Sequence, residues 1–192
     1  PDQDGIGYTM CTIRDGVRVS AASAFLPPAM NRPNLTVRTG VFVERVLFEG
    51  RRAAGIAVRV NGERQEFRAG REVILSAGSI QSPQLLQLSG IGDADHLKGL
   101  GIPVLSEVPG VGRNLREHWM VFSQCRLSRP MSDNFEFGGW RLLKHVLNYA
   151  LTKKGLMASS SHEVAGFIRS RAGLDRPDAQ IVYAPISLEQ GD

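Results

Sequence analysis

The residues best spaced to do chemistry lie in one unbroken run, Gly78-Ser79-Ile80-Gln81-Ser82-Pro83-Gln84-Leu85-Leu86-Gln87-Leu88-Ser89-Gly90-Ile91-Gly92. Ser82 is of the type that caps a helix start, and Pro83 suits the first helical position, where the missing N–H would be unsatisfied anyway. Gly90 and Gly92 suit a tight stop. A helix entered from a small-residue turn presents unpaired N–H groups to a ligand that approaches its start. The same pattern also serves a helix with no ligand, so spacing alone leaves both readings open. The four histidines are the other candidates. His96 and His145 fall on predicted helices among polar residues and read as surface or packing groups. His118 follows Glu117, and His162 lies in the polar loop Ser159-Ser160-Ser161-His162-Glu163. None has a partner at metal-ligand spacing. Cys11 and Cys125 form neither a disulfide framework nor a zinc motif, which favours a reducing, cytoplasmic location.

The elements that must carry these residues follow from pattern and punctuation. Alternation around Tyr8, Met10 and Thr12 predicts a strand that reverses at Asp15-Gly16. Ser20 predicts the cap of a short helix over 21–26, ended by Pro27-Pro28. Extended runs follow at 35–39, 41–48 and 54–60, the last closing at Asn61-Gly62, a type I′ hairpin signal, with 64–68 returning. Residues 72–76 form a short apolar run that reads as a strand buried on both faces. It leads through Ala77-Gly78 into a helix over about 82–88. Asp93 predicts the cap of a helix carrying His96, Leu97 and Leu100, and 104–107 reads as a further strand. Trp119 to Leu127 alternates as a strand. Trp140, Leu143, Leu147, Ala150 and Leu151 recur on one face of an amphipathic helix over 138–153. Strands are predicted at 166–169 and 180–184.

Composition narrows the class of function. The chain has 192 residues, 42% hydrophobic and 22% charged, a balance typical of globular proteins. No apolar run reaches the roughly 18 residues of a membrane span. The 23 basic residues exceed the 19 acidic ones, giving +4, but they are scattered singly or in pairs with no interleaved aromatic stripe. Nucleic acid is therefore not an expected partner.

The run 78–92 matches without a mismatch the second signature of the glucose–methanol–choline family of FAD-dependent oxidoreductases, and the resemblance extends to both sides. Upstream it includes Arg18-Val19-Ser20-Ala21-Ala22, Arg32-Pro33-Asn34-Leu35-Thr36-Val37, Val43-Glu44-Arg45-Val46 and Arg71-Glu72-Val73-Ile74-Leu75-Ser76-Ala77-Gly78. Downstream it includes Pro109-Gly110-Val111-Gly112-Arg113-Asn114-Leu115, Glu117-His118, Gly155-Leu156 and Glu163 to Ser170. The resemblance implies an α/β plus α+β architecture, in which part of an FAD-binding, Rossmann-like domain joins part of an antiparallel-sheet substrate domain. Residues 1–117 would belong to the first, with the initial 17 or so possible as a substrate-domain strand, and 118–192 to the second.

The implied activity is oxidation of a primary alcohol to an aldehyde by hydride transfer to flavin N5, with a small alcohol as substrate and an electron acceptor left unidentified. Val43 would offer backbone hydrogen bonds to the adenine. Ser76, Ala77 and Gly78 would lie at the adenosine end of FAD, with Ser82 and Pro83 in the adjoining wall. His118, Met120 and His162 would approach the substrate pocket; for His118 the rival role is ordering the loop backbone, and for His162 a plain loop. The choline-oxidising branch carries Glu where this chain has Met120, and a thioether cannot pair a quaternary cation, so an uncharged alcohol is favoured. Two departures matter. The family's Gly-x-Gly-x-x-Gly turn and its catalytic histidine have no counterpart here, so the sequence resembles the middle third of a longer protein and is expected to be inactive by itself. A non-catalytic protein that keeps the adenosine-side scaffold is the rival reading.

Overall fold

The computed structural model describes residues 4–125, 128–129 and 132–186. In chain order the first elements are β1 (Gly5–Tyr8), β2 (Ile13–Arg14), β3 (Val17–Arg18), α1 (Ala21–Ala29), β4 (Val41–Glu49), β5 (Arg52–Val60) and β6 (Glu63–Arg68). Then come α2 (Gly78–Leu88), β7 (Ile91–Gly92), α3 (Ala94–Gly99), β8 (Ser106–Glu107), α4 (Gly139–Thr152), β9 (Val164–Ile168) and β10 (Ala179–Tyr183). The chain divides into two compact units, residues 36–120 and residues 1–35 with 121–192. The mixed helix-and-sheet class expected from the sequence is the class observed, with mostly antiparallel pairing.

In the 36–120 unit, β4, β5 and β6 form an antiparallel meander. Asn61 (φ 51°) and Gly62 (φ 89°) supply the two left-handed residues of its tight turn. A register shift at Glu44 places Val43 opposite Val58 and Arg45 opposite Ala57. One face of the sheet supplies Val46, Ala54 and Val58 to the core, and Leu85 and Leu97 complete the buried apolar set among the described residues. The opposite face carries Glu44, whose carboxylate pairs with Arg59 and Arg64. Helix α2 packs on β4.

Gly90 then turns the chain at φ +86°, and its carbonyl accepts the N–H groups of Leu105 (2.7 Å) and Ser106 (3.1 Å). This tie brings β7 and β8 together as a two-residue parallel pair. Asp93 caps α3 by accepting the His96 N–H at 3.0 Å, as its type predicts. The loop after β8 is held by Gln87, whose amide donates to the Val111 carbonyl (3.2 Å), and by the Asp93–Arg113 ion pair (2.9 Å).

In the other unit, β1, β9 and β10 form an antiparallel sheet with β9 central. Asp15 and Gly16, both left-handed, turn β2 into β3. Ser20 and Ser23 form a reciprocal capping box on α1. Helix α4 contacts two short 3-10 turns, Asp133–Phe137 and Leu156–Ala158.

Five expectations are corrected. Residues 72–76 are not in a strand, and Ile74 is 75% exposed, because no described segment pairs with them and an apolar run alone does not make a ladder. Residues 35–39 are likewise unpaired. The helix containing Ser82 begins four residues earlier, at Gly78, so Ser82 and Pro83 lie inside it. Helix α1 runs through Pro27 and Pro28 to Ala29, closed by the Met30 N–H on the Leu26 carbonyl at 2.9 Å. Residues 119–125 carry no strand, and the end of that expected strand, 126–127, lies outside the described residues.

Candidate functional site

An open cavity of about 520 Å³ lies within the 36–120 unit, lined by Thr36, Arg38, Val41, Val43, Ile56 and Phe67. Strand alternation explains the apolar wall. Val43 and Val41 project from β4 on one side, and the β-paired Ile56 and Phe67 continue that side across β5 and β6. Arg38 comes from the segment before β4 and lies over the Phe67 ring at 5.0 Å, a cation–π contact that leaves one positive charge at the cavity rim. The site therefore combines a flat apolar slot, a cation and an edge strand, since β4 is paired on one side only. Its free side carries no strand partner, and there the Val46 N–H is taken by the Ser89 hydroxyl at 2.8 Å.

The expected wall residues lie at the start of α2. Ser76, Ala77 and Gly78 are exposed, and Ser82 and Pro83 are half-buried. The Ser82 hydroxyl accepts the Ala77 N–H at 2.9 Å, so both groups are engaged with each other. Gly78 has φ +90°, and a Cβ there would meet nothing within 4 Å, so the approach to the helix start is clear. No acidic residue lies in the first turn of α2 to offset its positive end. Of the sequence-predicted set, Val43 lines the cavity, while Ser76, Ala77, Gly78, Ser82 and Pro83 do not.

The pocket candidates are placed separately. His118 is exposed, and its own N–H donates to the Glu117 carboxylate at 2.8 Å; Met120 is exposed two residues on. His162 is exposed in the other unit, with Nδ1 2.9 Å from the Ser161 hydroxyl, and its carbonyl accepts the Thr9 hydroxyl. Among the described residues no cluster of His, Cys, Asp and Glu is placed to hold a metal. His145, read as a surface or packing group, bonds through Nε2 to Glu136 at 2.8 Å.

The carboxylates near these features have specific partners. The Arg59 hydrogen bond holds the Glu44 carboxyl below its ordinary range, with Arg64 adding to the effect. Asp93 is held low first by the His96 N–H, and Glu136 first by the His145 ring. Sequence reasoning missed Ser89, whose hydroxyl links α2 to β4, and missed Arg38 and Phe67. The Asn-Gly hairpin fixes the β5–β6 register and hence the Ile56–Phe67 pair, so Phe67 had a signal; Arg38 had none.

The profile of the GMC oxidoreductases matches residues 1–120. The chain belongs to that family. The human mitochondrial choline dehydrogenase is 44% identical over 183 residues, which is 95% of this chain and 31% of that protein. A formate oxidase structure superposes with TM-score 0.77 at 28% identity, covering 88% of this chain and 29% of its own. An FAD-dependent oxidoreductase from Chaetomium thermophilum gives TM-score 0.73 at 26% identity, over 86% of this chain and 30% of its own. The chain spans about a third of the length of the curated relatives it matches. Among the described residues no helix is long and apolar enough to cross a membrane.

Proposed function

We propose that the parent protein is an FAD-dependent oxidoreductase that converts a primary alcohol to an aldehyde, and that this chain contributes the wall around the cofactor's adenosine half. Family membership supports the oxidoreductase class, and the FAD-dependent neighbour supports the cofactor. The single observation that carries the reading is the cavity at Val43. Its apolar slot between Val43, Ile56 and Phe67 suits a planar heterocycle, the free edge of β4 suits hydrogen bonds to that ring's rim, and Arg38 suits neighbouring phosphate. The start of α2, open at Gly78 and free of acidic side chains, suits the negatively charged part of the same ligand.

When bound, FAD supplies the hydride acceptor. The chain's own residues bind and orient. Val43 offers main-chain contacts, Gly78 admits close approach, and the Ser82 hydroxyl holds the Ala77 turn. Ser76, Ala77 and Pro83 shape the wall. We further assign residues 36–120 to the FAD-binding portion and residues 1–35 with 121–192 to the substrate portion, with His162 toward the substrate pocket of the latter. Met120 favours an uncharged alcohol. The choline dehydrogenase relatives favour choline as a second reading.

The test is anaerobic mixing of the purified parent protein with benzyl alcohol or with choline while the flavin absorption is followed. Bleaching by an alcohol supports the proposal, and bleaching by choline alone transfers it to the second reading. A parent protein that carries no flavin defeats both.

A further inference from the structure

We infer that Ser89 is a positioning residue for the adenosine half of the cofactor, because its hydroxyl joins the edge strand that carries Val43 to the helix that Gly78 opens. The inference rests on the reading of the Val43 cavity given above. Ser89 lies at the end of α2, half-buried. Its Oγ accepts the Val46 N–H at 2.8 Å and donates to the Leu85 carbonyl one turn back. A single hydroxyl therefore satisfies one donor of β4 while anchored on the Leu85 carbonyl, which also accepts the Ser89 N–H at 3.1 Å. Val46 is only 6% exposed, and β4 is an edge strand, so no neighbouring strand takes over that N–H if the hydroxyl is removed.

The path from this bond to the cavity is three residues long. Between Val46 and Val43 the register shift at Glu44 inserts one extra residue into β4. An extra residue returns the alternation of the strand to phase after three positions, so the outward main-chain groups of Val43 take the orientation set at Val46. The shift is pinned on the opposite face, where Glu44 pairs with Arg59 of β5 and Arg64 of β6. Strand position is thus defined from both ends, by the Glu44 pairs and by Ser89. Loss of the hydroxyl frees β4 to slide or tilt relative to α2 and spoils the spacing between the two cofactor-facing groups.

The experiment uses the full-length parent enzyme, stripped of flavin and titrated with FAD and with FMN, which lacks the adenosine half. For Ser89→Ala the dissociation constant of FAD is expected to rise about tenfold while that of FMN stays within about twofold of wild type. Ser89→Thr, which keeps the hydroxyl, is expected to restore FAD binding. Unchanged FAD affinity in Ser89→Ala, equal loss of FAD and FMN, or no rescue by threonine each overturns the inference. Where Ser89→Ala fails to fold, Ser89→Cys, which fills the same space with a weaker hydrogen-bonding group, replaces it with the same two outcomes. A wild-type parent that binds no FAD defeats the functional reading itself and the inference with it; a wild type that binds FAD beside an unaffected Ser89→Ala defeats the inference alone.

Discussion

Replacing Gly90 by alanine adds one methyl group at the most constrained turn of the 36–120 unit. Two costs are separable. The backbone there is left-handed at φ +86°, a conformation that costs about 1–2 kcal/mol once a Cβ is present. The new Cβ would also stand 2.5 Å from the Pro103 carbonyl oxygen and 3.1 Å from the Leu105 nitrogen, both main-chain atoms. Those atoms cannot retreat cheaply, because the Gly90 carbonyl itself holds the Leu105 and Ser106 N–H groups and so fixes the β7–β8 pair. Overpacking of this kind costs about 1–3 kcal/mol, and the stiffer unfolded chain returns about 0.4–1 kcal/mol. The expected net loss is about 1–5 kcal/mol, of which the contact itself supplies about 1–3 kcal/mol. Gly40 is the matched control, since it has φ +68° but a Cβ added there would meet nothing within 4 Å, so Gly40→Ala is expected to cost only about 1 kcal/mol. Urea denaturation followed by far-ultraviolet circular dichroism measures both. Equal midpoints for the two variants would show that the contact with Pro103 carries no cost, contrary to this expectation.

Leu97 is fully buried, so Leu97→Ala should destabilise the 36–120 unit by about 2–5 kcal/mol; a shift within error in the same denaturation assay contradicts that. The His145 ring lowers the Glu136 pKa, so this pair contributes stability that is present above the ordinary carboxylate range and is lost as pH falls through the depressed folded value. Removing the ring in His145→Ala should therefore flatten the fall of melting temperature with acid, and an identical slope counts against the pairing. Met120→Glu in the parent enzyme should lower the KM for choline roughly tenfold, the equivalent of one modest charge pair, and an unchanged KM removes Met120 from the specificity argument. The chain alone should show no flavin absorption after purification in the presence of FAD; near-stoichiometric flavin would refute its dependence on the rest of the parent.

Local punctuation is legible in the sequence where a residue acts on its immediate neighbours. Ser20, Asp93, Asp15-Gly16 and Asn61-Gly62 each do so, and each occupies the predicted cap or turn. The amphipathic stripe of α4 is equally legible. What escapes depends on partners distant in sequence. Residues 72–76 have the composition of a buried strand, but composition does not say whether a pairing strand lies in the same chain. Ser82 has the look of a cap because its hydroxyl does accept a main-chain N–H, that of Ala77, while the helix begins earlier at the glycine turn. At the candidate site, Val43 comes from the family resemblance, whereas Arg38 and Ser89 act through contacts across tens of residues that no periodicity encodes.

The pairing of β1 with β9 has a consequence for synthesis. Thr9 and His162, at the end of that pairing, lie 153 positions apart. At a ribosomal rate of about 5–20 residues per second, β1 waits roughly 8–30 s for its partner. The meander over 41–68, closed by neighbouring hairpins, needs no such delay. The β1–β9 pairing thus closes after the meander, and β1, with the exposed Ile6 and Tyr8, is where a chaperone would find the nascent polypeptide in the interval.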